Sequence, residues 1–265
     1  MNGSLDQLLS LVSHGNAFLG GQALDNYFPD DMSFRFCESV RFMELERCNK
    51  DWKEWEHSPD PLLWFKKMKG EDARCFRARY LQGQDENMPD HMSVIYPGGG
   101  GRWLIEVVKP EGSDFWEANW ETGNRDDPQQ KIWRVKYGRI LKQVHRLEQP
   151  LPDEDQLTIS LRQVLTDIKA LADKHNEKGF SNCFNQALKC LDGDFPRQYK
   201  GTKLDKSNMS KVSQNLMAAA RSAWVFGGMG SWNDMYFAHE TEYEALTGKL
   251  YQHIVTALLI SVNPK

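Results

Sequence analysis

The chain has 265 residues, and its 33 Lys and Arg nearly balance its 37 Asp and Glu. This length is typical of one large domain or two small ones, and it excludes a disulfide-stapled miniprotein. Hydrophobic residues make up 40% of the chain and its mean hydropathy is −0.64. We therefore expect a soluble globular protein that buries its own core.

The charge distribution argues against a nucleic-acid partner. Residues 1–150 carry 20 basic and 24 acidic side chains, and residues 151–265 carry 13 of each. A protein that gains its affinity from phosphate contacts needs a surplus of Lys and Arg on one face. Neither part of the chain has that surplus, so we expect another kind of partner.

The cysteines indicate a reducing compartment. No C-x-x-C pair occurs, and an odd number of cysteines cannot all pair within one chain. The five positions are Cys37, Cys48, Cys75, Cys183 and Cys190. The first residues lack a basic segment, and the most apolar run, 257–260, is too short to span a bilayer. We expect a cytoplasmic protein without a membrane anchor.

Two elements are predicted at the start of the chain. Ser4 followed by Gln7 forms a capping-box pattern, so we expect a helix that ends near Gly15. Residues 34–42 then alternate apolar and polar side chains, as in a strand buried on one side. Glu38 falls on the apolar parity of this strand. Either Glu38 is a functional carboxylate in a cleft, or an edge position or one-residue bulge turns it outward.

A short helix and several strands are predicted next. Asp60 followed by Pro61 is typical of a helix start, and Gly70 offers its end. Antiparallel strands should follow over 74–81, 92–96 and 103–107. A further pair of antiparallel strands should follow. It should place Trp116, Ala118 and Trp120 of one strand beside Trp133, Val135 and Tyr137 of the other. Acidic residues would then face basic ones across this ladder, each pair adding roughly 0.2–1 kcal/mol.

At residue 150 the apolar spacing changes from a period of two to a period of 3.6. Four helical stripes follow, within 157–171, 184–191, 209–224 and 243–261. We predict an α+β fold, with a mostly antiparallel sheet of five or six strands in residues 1–149 and a helical region in residues 150–265 packed on it. The two regions either form separate domains or share one core.

The glycine run, residues 98–101, invites comparison with phosphate-binding loops. A phosphate loop leads into a helix and contains Lys followed by Ser or Thr, whereas this run leads into the strand-like segment that starts at Arg102. A hairpin turn that uses glycine at positive φ is the simpler interpretation. An anion cradle assisted by Arg102 is the alternative.

The sequence contains no recognisable metal or nucleophile motif. His239 followed by Glu240 begins like a zincin motif, but Tyr243 stands where the second histidine ligand belongs. The G-x-S-x-G pattern of α/β-hydrolases is absent as well. We therefore expect neither a metal nor a cofactor.

The segment 218–234 combines small residues, glycines and two tryptophans. In one interpretation it is a buried turn between helices, where Trp232 fills core volume and Asn233 or Asp234 binds backbone amides. In the other, Trp232, Asn233 and Asp234 form a recognition pocket that faces the sheet.

The residues Phe226-Gly227-Gly228-Met229-Gly230-Ser231-Trp232-Asn233-Asp234, with the alanine-rich helix before them and the glycine run, resemble bacterial proteins associated with polymorphic toxin loci. Those proteins would serve as immunity proteins. The resemblance implies a cytoplasmic protein that binds one toxin domain and blocks it, and it implies no catalytic residue.

The leading hypothesis is a non-enzymatic bacterial protein that binds another protein, such as a cognate toxin domain. Its candidate binding residues are Trp224, Trp232, Asn233, Asp234, Arg102 and Glu38. The alternative is a hydrolase or nucleotide-handling enzyme, with Asp234 as acid, base or metal ligand and the glycine run as an anion cradle. A third hypothesis is a scaffold subunit.

Overall fold

The computed structural model describes residues 3–48, 51–85, 87–96, 98–145, 150–196, 203–237 and 240–264. These residues form an α+β fold, in which a mostly antiparallel sheet of six strands is followed by a helical region. The predicted fold class is confirmed.

The helices are α1 Gly3–Leu19, α2 Pro61–Gly70, α3 Asp90–Ser93, α4 Glu154–Lys174, α5 Lys178–Leu191, α6 Lys211–Ser222 and α7 Glu240–Val262. The strands are β1 Cys37–Cys48, β2 Asp51–Ser58, β3 Cys75–Leu81, β4 Arg102–Lys109, β5 Gly112–Thr122 and β6 Trp133–Val144. Two 3-10 turns occupy Met32–Phe34 and Trp232–Asp234.

The sheet has the strand order β2-β1-β6-β5-β4-β3. The β1–β6 pairing is parallel, and the other four are antiparallel. β5 and β6 pair as expected, with Trp120 opposite Val135 and Ala118 opposite Tyr137. Alternation of apolar and polar residues indicated this pairing and its apolar face, but not the two register shifts between Ser113 and Trp116.

The basic residues of β6 form ion pairs with β1 and β2, and not only with the neighbouring strand β5 as expected. Arg134 lies opposite Glu121 of β5, yet its Nε bonds Oε2 of Glu38 on β1 at 2.9 Å. Lys136 Nζ bonds Oε1 of Glu54 on β2 at 2.8 Å. The polar face of the sheet is therefore tied across three strands by ion pairs.

One buried cluster contains residues from both regions of the chain. It includes Trp64 of α2 and Trp116 of β5 together with Leu165 of α4 and Ile254 of α7. The face of the sheet that carries Phe42, Ile105, Trp116, Val135 and Tyr137 supplies its strand residues. We call this the core face. α7 contacts β3 as well as α4 and α6, and so connects the helical region to the sheet.

The expected end of the first helix at Gly15 is wrong. α1 continues to Leu19, and Gly15 lies inside it because the sheet approaches closely there. A Cβ atom at position 15 would lie 2.7 Å from Cδ2 of Phe76. Gln7 is buried rather than a cap, since its Nε2 donates to the carbonyl oxygen of Ser33 at 2.9 Å.

The expected strand at 92–96 is also wrong. α3 occupies Asp90–Ser93, and its Met92 is exposed. The buried carboxylate of Asp90 accepts hydrogen bonds from the hydroxyl of Tyr80 and the amide of Gly83, which holds this turn against β3. The glycine run therefore ends a long connection between β3 and β4 and is not a hairpin turn.

The first strand begins later than expected. Phe34 belongs to a 3-10 turn capped by Asp31, Phe36 is exposed, and β1 starts at Cys37. The register between β1 and β6 shifts between Cys37 and Ser39. This irregularity explains why Glu38 points to solvent despite its apolar parity.

The outer edge of β3 is closed by two asparagines. Asn16 of α1 donates to the carbonyl of Phe76 and accepts from its amide, both at 2.8 Å. Asn263, just after α7, accepts from the amide of Ala78 at 2.7 Å and donates to its carbonyl at 3.0 Å. Each side chain takes the place of a neighbouring strand.

One described helix is long and apolar enough by composition to cross a membrane. The stretch is Thr241–Val262 of α7, with a mean hydropathy of 1.2. Of its most apolar window, 56% is buried inside the protein. Core helices of soluble proteins have the same composition, so this stretch is weak support for a membrane span.

We expect Asn16→Ala to lower the free energy of unfolding by about 2–4 kcal/mol, because it leaves a buried amide and a buried carbonyl of Phe76 without partners. Urea denaturation would measure the change. Asn119→Ala is the matched control, because the exposed Asn119 side chain donates to Glu121 at the surface and its loss should cost less than about 0.5 kcal/mol. An equal effect of the two variants would contradict the edge-closing role.

Candidate functional site

A cavity of about 590 Å³ opens on the core face beyond the part that the helices cover. Its walls come from the start of α1, the segment 94–101, the ends of three central strands, and α7. The aromatic residues that line it are Tyr96, Trp103, Trp120, Trp133, Trp224 and Tyr251. We call this cavity the aromatic groove.

The alternation of the strands creates the floor of the aromatic groove. Trp103 lies two residues before the buried Ile105 in β4, and Trp133 lies two residues before the buried Val135 in β6. Residues two apart share a face of a strand, so both indoles continue the core face outward. The ring centroids of Trp120 and Trp133 lie 6.0 Å apart in an edge-to-face arrangement.

The glycine run forms one wall of the aromatic groove. The amide of Gly100 donates to Oγ of Ser93 at 2.9 Å, and the amide of Gly99 donates to the carbonyl of Tyr96 at 3.0 Å. The Tyr251 hydroxyl donates to the carbonyl of Gly100 at 2.6 Å. Two amides that an anion would need are therefore already used inside the loop.

Glycine is required at Gly101 by both conformation and space. Its φ is +78°, and a Cβ atom there would lie 2.5 Å from the ring of Tyr80. This close approach lets β4 begin directly beside β3.

Arg102 lies at the rim of the aromatic groove, paired with Glu117 of the neighbouring strand. Its Nε lies 2.8 Å from Oε1 and its Nη2 lies 2.5 Å from Oε2 of Glu117. These hydrogen bonds raise the pKa of Arg102. The two side chains are the only charged ones among the described residues that line the groove, and they neutralise each other.

Trp224 links the aromatic groove to the turn that follows α6. Its Nε1 donates to the carbonyl of Phe226 at 3.0 Å. Its ring lies 6.0 Å from that of Tyr251, measured between centroids. Arg102, Trp224 and the glycine run, all singled out from the sequence, thus meet in one cavity.

Residues 226–234, which we call the Gly–Trp turn, are folded around their own side chains. Trp232 is fully buried, and its Nε1 donates to Oγ1 of Thr247 at 2.9 Å. Oδ1 of Asn233 accepts from the amide of Gly227 at 3.1 Å. Oδ2 of the exposed Asp234 accepts from the amide of Gly230 at 2.9 Å. This geometry matches the buried-turn interpretation.

None of Trp232, Asn233, Asp234 and Glu38 lines the aromatic groove. The first three belong to the Gly–Trp turn, and Glu38 lies on β1 in its ion pair with Arg134. His239, considered for a zincin motif, lies outside the described residues.

The outer side of the Gly–Trp turn presents apolar side chains to solvent. Met229 is 100% exposed and Tyr236, two residues after the turn, is 84% exposed. Met229 and Tyr236 therefore form a second candidate contact area, beside Trp232, Asn233 and Asp234.

Six ionisable residues form a cluster at another part of the core face. They are Glu44, His57, Glu71, Lys109, Asp114 and Arg139, and we call them the ionic cluster. Lys109 Nζ lies 2.6 Å from a carboxylate oxygen of both Glu71 and Asp114. Arg139 Nη1 lies 2.9 Å from Asp114 Oδ2, and the Arg139 guanidinium lies 4.8 Å from the ring centre of Trp116.

The acids of the ionic cluster are engaged by cations. The hydrogen bond from His57, whose Nε2 lies 3.2 Å from Oε1, and the charges of Lys109 and Arg139 hold the pKa of Glu71 well below its usual range. Within the described ranges, no group of three or more His, Cys, Asp or Glu residues is arranged to hold a metal ion. The internal pairing favours a structural role for this cluster.

A smaller cavity of about 470 Å³ lies beside α6. Its lining includes Phe195, Leu204 and Met217, with Lys203 and Lys206 at its side. None of the six candidate binding residues lines it.

No protein-family model matches the chain, and no curated protein or solved structure matches it. The resemblance carried by residues 226–234 stays a prediction.

Sequence reasoning did not identify the floor of the aromatic groove. The alternation of Trp120 and Trp133 indicated a buried face, and these tryptophans were expected to be core residues. The sequence does concentrate tryptophans near the ends of predicted strands, at alternate positions that share one face of the sheet. That signal does not show where the helices stop covering the sheet.

We expect Trp232→Ala to lower the free energy of unfolding by about 3–5 kcal/mol, because it empties a fully buried site. Asp234→Asn should cost less than about 1 kcal/mol, since the amide oxygen can still accept from Gly230. Urea denaturation of both variants tests the structural account of the Gly–Trp turn. A stably folded Asp234→Asn variant that loses a measurable catalytic activity would instead favour the enzyme hypothesis.

The ionic cluster should make stability sensitive to acid. Because the folded-state pKa of Glu71 is depressed, its contribution is full above about pH 4.3 and is lost as the pH falls toward the folded-state pKa. We expect Glu71→Gln to flatten the decline of the urea midpoint below that pH. Glu46→Gln is the control, because it removes the same charge at an exposed position on β1. It should leave the dependence of the urea midpoint on pH unchanged.

Proposed function

We propose that the protein is a non-enzymatic binding protein that holds a segment of another protein in the aromatic groove. The observation that carries this proposal is the groove itself, with six aromatic side chains on one cavity and a single neutralised charge pair at its rim. Tryptophan and tyrosine supply large contact areas at low entropic cost, and they are enriched among residues that dominate binding energy.

The shape of the aromatic groove suits a polypeptide. Trp103, Trp120 and Trp133 lie on three adjacent strands and line the same cavity, so apolar surface extends across the sheet. The glycine run adds a wall of backbone without side chains. An extended apolar segment of a partner could lie along this floor, in the way that aromatic-lined grooves bind peptides.

We propose further that the partner is a toxin domain, which this protein neutralises. This step is supported by the resemblance of residues 226–234 to immunity proteins. The Gly–Trp turn contributes indirectly, because the Phe226 ring packs edge to face on Tyr251 at 5.0 Å, and the Phe226 carbonyl holds the Trp224 indole. The turn thus keeps Trp224 in the wall of the groove.

The acidic excess of residues 1–150 supports the same proposal. Twenty-four acidic residues against 20 basic ones would steer a basic partner toward the region that contains the sheet.

The enzyme alternative needs Asp234 and the glycine run in one cleft. The glycine run lines the aromatic groove, whereas Asp234 does not. Two of the run's amides are also occupied. The binding hypothesis therefore has more geometric support.

The test is co-expression with each gene adjacent to the one that encodes this protein, followed by affinity measurement with any toxin domain that is captured. Ala118→Leu should weaken binding at least tenfold, because Ala118 lies on the groove floor and the added atoms fill the cavity. Ile159→Ala removes an apolar side chain that is exposed on α4 and should bind as the unmodified protein does.

Two outcomes would contradict the proposal. If no adjacent toxin candidate binds, the immunity hypothesis is wrong. If a toxin binds and only Met229→Ala or Tyr236→Ala weakens it, the interface is the outer side of the Gly–Trp turn and not the aromatic groove.

A further inference from the structure

β4 stops short of β5 at the end of the sheet that borders the aromatic groove. The last residue of β5 that pairs with β4 is Glu117, whereas β5 itself continues to Thr122. In the same register, a longer β4 would place Gly101 opposite Trp120. Residues 120–122 therefore have β6 on one side and no strand of the described chain on the other. We call them the open end of β5.

The glycine run does not take the place beside the open end of β5. Gly100 and Gly101 have φ angles of +83° and +78°, which turn the chain out of an extended strand. The amide of Gly100 bonds Ser93, and its carbonyl bonds Tyr251 of α7. Neither glycine forms a backbone hydrogen bond with Trp120. The chain therefore leaves the line of β4 before it can pair with the open end.

The open end presents unpaired backbone groups toward the missing strand. The amide of Gly123 donates to the carbonyl of Ile132 at 2.7 Å, so the backbone of Gly123 faces β6. Backbone groups point alternately to the two neighbours of a strand, so those of Glu121 also face β6, whereas those of Trp120 and Thr122 face away from it. Among the described residues, none bonds the outward amide or carbonyl of Trp120 or Thr122. Two amides and two carbonyls are thus available to another chain.

The open end also lies beside the apolar floor of the aromatic groove. Trp120 lines the groove together with Trp133 of β6 and Trp103 of β4. Asn119 and Glu121 alternate with Trp120 and are exposed on the opposite face of the sheet. A segment that pairs with the open end would therefore set apolar side chains on the groove floor and polar ones on the other face.

The geometry argues against a second copy of this chain as the added strand. Two-fold antiparallel pairing centred on Trp120 would set Glu117 of one copy opposite Gly123 of the other. Leu104 of the first copy, which pairs with Glu117, would then occupy the position of Gly123. Gly123 is held there by its bond to Ile132, so the two copies would overlap. The open end suits a single extended segment with no strand beside it.

We propose that the partner's segment enters the aromatic groove as a short antiparallel strand beside Trp120 and Thr122, in line with β4. This inference rests on the proposed function, because it specifies how the groove holds its segment. The residues opposite Trp120 and Thr122 each exchange two backbone hydrogen bonds with β5. Backbone pairing supplies affinity, and the indoles of the groove select apolar side chains at alternate positions. A helical segment does not fit, because its amides are bonded internally.

The first experiment uses the full chain and three six-residue peptides that alternate valine with serine. One is unmodified, one is N-methylated at its valines and one is N-methylated at its serines. Residues directly opposite each other share a face, so the valines on the groove floor direct their amides toward β5 and the serines direct theirs away. We expect methylated valines to weaken binding at least tenfold and methylated serines to weaken it less than threefold. The unmodified peptide should slow amide hydrogen exchange at Trp120 and Thr122.

The second experiment removes one outward amide from the protein. Thr122→Pro deletes an amide that faces away from β6, a position where a strand tolerates proline. We expect it to weaken binding of the unmodified peptide at least fivefold. Thr122→Val retains the amide and should bind within twofold of the unmodified protein. An unchanged urea midpoint shows that each variant is folded.

Three outcomes would overturn the proposal. One is unchanged exchange at Trp120 and Thr122 with the unmodified peptide at millimolar concentration. Another is equal weakening by the two methylation patterns, which would mean apolar contact without strand pairing. The third is protection of Trp120 in the free protein that rises with its own concentration, which would make a second copy the occupant.

The peptide experiments separate this inference from the toxin hypothesis, because they need no toxin. If no toxin domain is captured but methylated valines alone weaken peptide binding, strand pairing is supported and only the toxin hypothesis is wrong. If a captured toxin is weakened by Ala118→Leu but leaves exchange at Trp120 and Thr122 unchanged, the groove binds its partner and strand pairing is wrong.

Discussion

The structure depends on burial of an aromatic layer on one face of the sheet. Trp64 of α2 stacks on Phe42 of β1 with ring centroids 4.1 Å apart, and Phe42 in turn stacks on Tyr137 of β6 at 5.3 Å. Such rings contribute a large apolar area and favour defined mutual angles. α1 and α2 cover much of this layer, and α7 reaches its β3 side. The aromatic groove is the part of the layer that remains open.

The same face also contains the ionic cluster, which is less easily explained by stability. Removing Lys109, Asp114 and Arg139 from water has a desolvation cost that their mutual attraction only partly offsets. Every carboxylate in the cluster faces a cation, and Arg139 also lies over Trp116. These contacts lie where the end of α2, β2 and the central strands meet. The aromatic layer supplies apolar burial, and the ionic cluster joins the end of α2 to β2 and to the central strands by ion pairs.

Local patterns predicted the elements well where each side chain's neighbours follow from its own segment. The helix Pro61–Gly70 has its cap, first-turn proline and apolar face within ten residues, and the shared apolar face of β5 and β6 follows from alternation. The errors depend on distant contacts. Gly15 continues a helix because Phe76 approaches it, and Met92 belongs to a helical turn because Asp90 binds Tyr80.

The candidate site was only partly visible in the sequence for the same reason. The sequence marks Arg102, Trp224 and the glycine run as unusual, and the three line one cavity. The partnership of Arg102 with Glu117, and the exposure of Trp103 and Trp133, depend on where the covering helices end. No local pattern contains that information.

The parallel pairing of β1 with β6 divides the sheet into two blocks. β1–β2 and β3–β4–β5–β6 can each assemble from neighbours in the chain, but Glu38 and Arg134 at the junction are 96 positions apart. Contacts between residues so distant in sequence form late, because a long loop must be closed before they contribute. We therefore expect the β1–β2 hairpin to dock after the larger block has folded. Until then, the edge of β6 that receives β1 is open to incorrect association.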